Sequence, residues 1–210
     1  MRTPTVLGVL LAGGIALAGC TPSEGPSEQP PGPGTPPPPS SIMPASQGGP
    51  KPSASPQEVD REFAHQLLSH HEVATQLVDL AKRGTEEEEF KEYAEQVEKT
   101  EKPLVEPARS WLVQREGPSG VEAALQPSVG TGVWMPPANP TAVQSLGQAR
   151  GKTFEAVFAD SMYDHGHQMV EMAHAEIGHG GDPQLKALAQ RIADTYRPLR
   201  DKAEELRKTV

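Results

Sequence analysis

The chain has one cysteine, 4% aromatic residues and no basic excess, and each shortage removes a class of explanation. A lone thiol, Cys20, forms no internal disulfide, so no cystine framework holds the fold and the compartment must be read from elsewhere. The formal charge of −9 makes nucleic acid and acidic lipid surfaces poor direct partners, because neither attracts a negative body. No nucleophile elbow, phosphate-cradling loop or cysteine nucleophile occurs, so no enzyme is expected. The longest apolar run, Val6 to Ala18, has thirteen residues. As a helix it rises only about 20 Å, short of a ~30 Å hydrocarbon core.

That run follows Arg2 and ends in Leu17-Ala18-Gly19-Cys20, so Met1 to Gly19 reads as a signal peptide. The ending resembles the bacterial lipoprotein cleavage box, in which the cysteine is lipidated and becomes the first residue. Cleavage would remove one positive side chain and take the charge from −9 to −10. An acylated Cys20 would anchor the protein durably, at ~0.8 kcal/mol per buried CH₂. Thr21 stands where an aspartate would have signalled inner-membrane retention, which leans the expected location toward the outer membrane and its periplasmic face. Thirteen of the 23 prolines fall between Thr21 and Pro56, a stretch with only Ile42 and Met43 as sizeable apolar side chains. It cannot bury enough surface to offset ordering, and residues 20–56 are expected to be a lipidated cysteine with a disordered spacer.

The remaining residues, 57–210, suffice for one domain with one core. They contain a duplication. Moving Phe154 to Ala173 back by 95 positions lays it on Val59 to Val78, with Phe158 over Phe63, Met162 over Leu67 and His165 over His70. The match continues through Ala189 over Ala94, Thr195 over Thr100 and Pro198 over Pro103. Each copy reads as a helical hairpin. Val59, Phe63, Leu67, His70, Ala74, Leu77 and Ala81 recur at steps of three and four, and Arg83-Gly84 supplies a stop. Glu86 to Glu89 opens the second helix, whose stripe includes Phe90, Tyr93, Val97, Leu104, Ala108 and Leu112, with Pro103 and Pro107 expected to kink or interrupt it. Phe154, Phe158, Met162, His165, Met169 and Met172 mark a third helix, and Asp182-Pro183 caps a fourth.

The expected architecture is an all-α, ferritin-like four-helix bundle with helices at about 57–83, 86–115, 151–178 and 182–208. Glu116 to about Arg150 shows no sustained period and is long enough for a crossover, with Trp134 expected to seal an end or side of the bundle. A dyad through the bundle would then bring His70 and His165 together.

Leu67-Leu68-Ser69-His70-His71-Glu72-Val73-Ala74, Met162-Tyr163-Asp164-His165 and Met172-Ala173, followed by Gly181-Asp182-Pro183 and Lys186 through Ile192, resemble the bacterial domain-of-unknown-function (DUF) family 305. Its pattern is two copies of an aromatic-led helix with Met-x-x-His-His-x-x-Ala-x-x-Met-Ala, each followed by a helix with Gln-x-x-Glu-Ile. The resemblance covers about Val59 to Leu206 and implies a ferritin-like envelope protein with possible copper binding. Leu67 replaces the first methionine, and Gly166 stands where the second copy should carry its second histidine. Thr100 and Pro103, like Thr195 and Pro198, replace the Gln and Glu of the family's second helix. A neighbouring envelope family, number 4142, has similar helices and is the second match.

Imidazole and thioether together suit copper, above all Cu(I). The expected ligands are His70, His71 and His165, with Met162 and Met169 one turn from His165; His167 and His174 are weaker candidates. The opposing expectation is that His70 and His165 are core residues bonded across the bundle or to the backbone, with the Lys99 and Asp194 carbonyls freed by Pro103 and Pro198 as acceptors. Glu62-x-x-His65 and Glu171-x-x-His174 have the spacing of di-iron bundles, but they do not correspond under the repeat, and inward glutamates are not expected on the partner helices. The two functional classes are therefore a copper-binding envelope lipoprotein and a structural or partner-binding one.

Overall fold

The computed structural model describes residues 54–126 and 135–210. The cleavage box, Cys20, most of the proline-rich stretch and Trp134 lie outside these residues. Those described are helical, without a strand. The four long helices are α1 (Pro56–Gly84), α2 (Glu88–Glu116), α5 (Lys152–His179) and α6 (Pro183–Arg207), with two short ones, α3 (Pro118–Ala124) and α4 (Pro140–Gln148), in the crossover.

Local chemistry sets the ends. Ser55 and Glu58 form a reciprocal capping box at the start of α1, and Pro56 occupies the first turn, where a missing N–H costs nothing. Asp182 accepts from the Gln184 and Leu185 amides at the start of α6. Pro103 and Pro107 do not interrupt α2, and Pro198 does not interrupt α6. Gly84 closes α1, but for packing rather than for a left-handed turn. A Cβ there would lie 2.6 Å from the Phe154 ring, so glycine lets the first turn of α5 sit against the end of α1.

Both halves are antiparallel hairpins, and their assembly is antiparallel too. Lys82 at the end of α1 pairs with Glu98 of α2, while His65 near its start meets Glu116. Across the halves, Tyr93 of α2 donates to the Leu199 carbonyl of α6, and Trp111 at the far end of α2 donates to Asp182 at the head of α6. Two contacts display the dyad directly. Asp60 in α1 accepts from the Gly181 and Asp182 amides of the α5–α6 turn, at 2.7 and 2.9 Å. Its counterpart 95 residues on, Glu155, accepts from the Thr85 hydroxyl of the α1–α2 turn. Each first helix thus ties down the other half's turn.

The stripes read from the sequence face inward. Phe63, Leu67, Leu77, Leu112, Phe158, Met162, Met172, Leu188 and Ile192 are buried in one core. The crossover packs along this bundle through α3, against α1 and α2, and α4, against α1 and α5. The two short helices were not visible as a period; α4 is held by Asn139 accepting from the Thr141 amide.

Candidate metal centre at the bundle midplane

His70 lies in the middle of α1 and His165 in the middle of α5, and the antiparallel pairing brings their rings to a centroid separation of 5.6 Å. Both are buried. Neither uses the Lys99 or Asp194 carbonyl. His70 Nε2 lies 2.9 Å from the Pro136 carbonyl, in the crossover, and His165 Nε2 lies 2.7 Å from Glu101 Oε1.

Glu101 is the residue that sequence reasoning missed. It projects inward from α2 at 2% exposure, which corrects the expectation of no inward glutamates. Its two oxygens take three partners. Tyr196 donates to Oε1 at 2.5 Å alongside His165, and His71 Nδ1 reaches Oε2 at 2.9 Å. A signal for it existed: Val97, Glu101, Leu104 and Ala108 lie on one face, and Glu101 falls in the gap of that apolar stripe. The repeat pairs it with Tyr196, 95 residues on, so the dyad sets an acceptor against a donor.

Electrostatics follow from these contacts. Burial alone would raise the Glu101 carboxyl, but His165 and the three hydrogen bonds hold it well below the usual carboxylate range. Burial and the nearby His165 pull His70 down to about 4, against the upward influence of the Pro136 carbonyl and Glu101. Burial and the Glu101 charge push Tyr196 far up, so it remains a phenol and donates.

The tautomers can be assigned from the partners. A carbonyl only accepts, so His70 carries its proton on Nε2 and keeps a lone pair on Nδ1. His165 likewise gives Nε2–H to Glu101, which leaves Nδ1 as its other ring nitrogen. Both rings line one cavity of about 240 Å³, together with Asp160, Ser161, Asp164 and Gln168. His71, 26% exposed, instead lines a separate cavity of about 190 Å³ with Thr75, Asp79, Glu98 and Glu101. An imidazole fixed through one nitrogen by a carboxylate or a backbone carbonyl has the arrangement that metal-binding histidines use. The residues therefore fit a small transition-metal ion in their donor chemistry. They are not a closed cage: among the described residues no three His, Cys, Asp or Glu side chains are grouped to hold an ion.

The other candidates separate clearly. Met162 and Met169 are buried on α5, one turn either side of His165. His167 is 52% exposed and pairs with Glu171, away from the core. His174 is exposed, takes Arg197 on Nε2, and lies about 14 Å along α5 from His165, out of reach of the same ion. Neither belongs to this centre. His65 binds Glu116, and buried Glu62 accepts from Gln66, so the Glu-x-x-His pairs build no shared site with the midplane. Gly166, where the pattern calls for a second histidine, packs against α6. A Cβ there would lie 3.2 Å from the Arg200 Cα, so a side chain at this position would require α6 to give way.

Two solved structures share this fold. One, titled "CopM in the Cu(II)-bound form", aligns with a TM-score of 0.57 at 18% identity, covering 71% of this chain and 96% of that one. The other, a DUF305 fragment from Deinococcus radiodurans, aligns with a TM-score of 0.58 at 16% identity, covering 75% and 100%. No curated protein matches. The sequence model described as "Domain of unknown function (DUF305)" matches residues 60–198, about two thirds of the chain, and the protein belongs to that family.

Proposed function

We propose that this protein is a lipid-anchored member of the cell envelope, on the outer-membrane or periplasmic side, whose bundle binds copper or a similar transition metal without catalysing a reaction. The observation that carries the reading is the pair His70 and His165, with rings 5.6 Å apart on one cavity. Each is held through Nε2, by a carbonyl and by a carboxylate, so the remaining nitrogen is the metal-binding one. Met162 and Met169 supply soft thioether donors on the same helix as His165, suited to Cu(I). His71 shares Glu101 with His165 and would join only by giving up that contact. The copper-bound state of a protein with a similar fold supports the choice of ion. The lipid anchor rests on the Leu17 to Cys20 ending and on the spacer behind it.

Titration of the purified protein with Cu(I), Cu(II) and Zn(II) tests this reading. One ion per chain is expected, with a preference for copper, and His70→Ala combined with His165→Ala should lower affinity at least about 10-fold, the scale of a lost ligand contact. Unchanged stoichiometry and affinity in that double variant would sink it.

One observation favours a second reading, a structural or partner-binding lipoprotein. Four polar side chains at the midplane already have a protein partner: His70 the Pro136 carbonyl, and His71, His165 and Tyr196 the Glu101 carboxylate. Both Glu101 oxygens are engaged without an ion. The same titration separates the two.

A further inference from the structure

Glu176, near the end of α5, is fully buried, and neither of its carboxylate oxygens receives a hydrogen bond from a donor. A buried carboxylate without donors is costly, so the group must be neutral or hold a cation. The space around it decides which. A Cβ on Gly180 would lie 2.1 Å from Glu176 Oε1 and 2.4 Å from its carboxyl carbon, so the turn backbone rests directly on the acid. A hard metal ion needs about six oxygens around it, and the Gly180 backbone already takes the space beside Oε1. A proton fits.

The facing group is Asp60 of α1, 3% exposed, whose Oδ1 already holds the Gly181 and Asp182 amides. We infer that one proton shared by Glu176 and Asp60 latches the α5–α6 turn onto the start of α1, and that loss of this proton releases the turn. Two buried carboxylates facing each other cannot both ionise cheaply. The surroundings of the pair favour the protonated form on balance. Burial comes first, then the Asp60 charge and its hydrogen bond, with Asp182 at the head of α6 adding and Lys186 of α6 opposing; together they raise Glu176 from 4.5 to about 8. Arg115 and Trp111 of α2 are engaged by Asp182, and Arg61 of α1 by Glu116, so these cations are already matched to other carboxylates. The latch is independent of metal binding, and it lies at the end of the helix that carries His165.

The test uses the full chain from mildly acidic to mildly alkaline pH. Two readouts follow the turn: hydrogen exchange of residues 178–183, corrected for the intrinsic rate, and the Trp111 indole N–H resonance, which reports its bond to Asp182. Both should change together with a midpoint near 8, to which burial and the Asp60 charge raise Glu176. Glu176→Gln, neutral at every pH and still able to donate to Asp60, should abolish the transition. Superimposable profiles for the two proteins, or a flat wild-type profile, would overturn the latch. Carboxyl ¹³C titration of the wild type decides independently of any variant. Ionisation of Glu176 near 8 supports the proposal, and ionisation near 4.5 refutes it.

Discussion

Glu101 at the waist of the bundle and Glu176 at its end are both buried, yet the surroundings drive them in opposite directions. Around Glu101, two imidazoles and a phenol converge on the oxygens, so the carboxylate stays charged and its pKa falls. Around Glu176 there is no donor and there is a second carboxylate, so the charge is refused and the pKa rises. Burial is common to the two. What differs is whether the fold supplies donors or another acid, and that determines whether a buried glutamate organises a site or stores a proton.

The sharpest way to break this contrast is to remove the better-satisfied acid. Glu101→Ala leaves Tyr196, His71 and His165 without their acceptor in the core. It should cost about 3–5 kcal/mol in urea unfolding, the scale of breaking a buried charged network by deleting one partner. A loss below ~1 kcal/mol would mean that water substitutes for the carboxylate and that the waist is not dry. Tyr196→Phe takes away a single donor while keeping the ring against His165, at a centroid separation of 5.5 Å. About 1.5–3 kcal/mol is expected, the range for a hydrogen bond to a charged group. In the double variant the two losses should fall well short of additive, since Tyr196 has no carboxylate to bond once Glu101 is gone.

The four long helices could be read from the sequence because each buries a continuous stripe, and the 95-residue repeat fixed which stripes correspond. The meeting of His70 with His165 followed from the same symmetry. Glu101 did not, for a physical reason: an acidic residue inside an apolar stripe looks like a solvated interruption until its donors are known, and those come from α1, α5 and α6. Pro136 was out of reach as well. Its carbonyl is a backbone group placed by the crossover, and no side-chain pattern announces where a carbonyl will point. Gly166 was legible only as a departure; its cause, the close approach of Arg200, is tertiary. Glu176 was silent because the cost of burying it appears only when Asp60 is brought in from α1.

The smallest expected effect lies at that silent site and carries its own sign. The folded-state pKa of Glu176 is raised to about 8 from 4.5, so the native protein holds a proton that the unfolded chain releases. Its contribution to stability is therefore intact below about 4.5, declines as the pH rises through that interval, and is lost above about 8. Glu176→Met keeps the side-chain length and removes the ionisable group, while Asp60 retains the Gly181 and Asp182 amides. At acid pH, where the wild type holds the shared proton and the variant lacks it, the variant should be less stable by about 0.5–1.5 kcal/mol, the scale of one hydrogen bond. Above pH ~8 it should be more stable by about 1–2 kcal/mol, the range for relieving one unsatisfied buried group. Urea midpoints measured across that range, at constant ionic strength, give the difference directly. A variant that is equally destabilised at every pH would mean that the carboxyl acts by shape alone, and the contrast with Glu101 would reduce to packing.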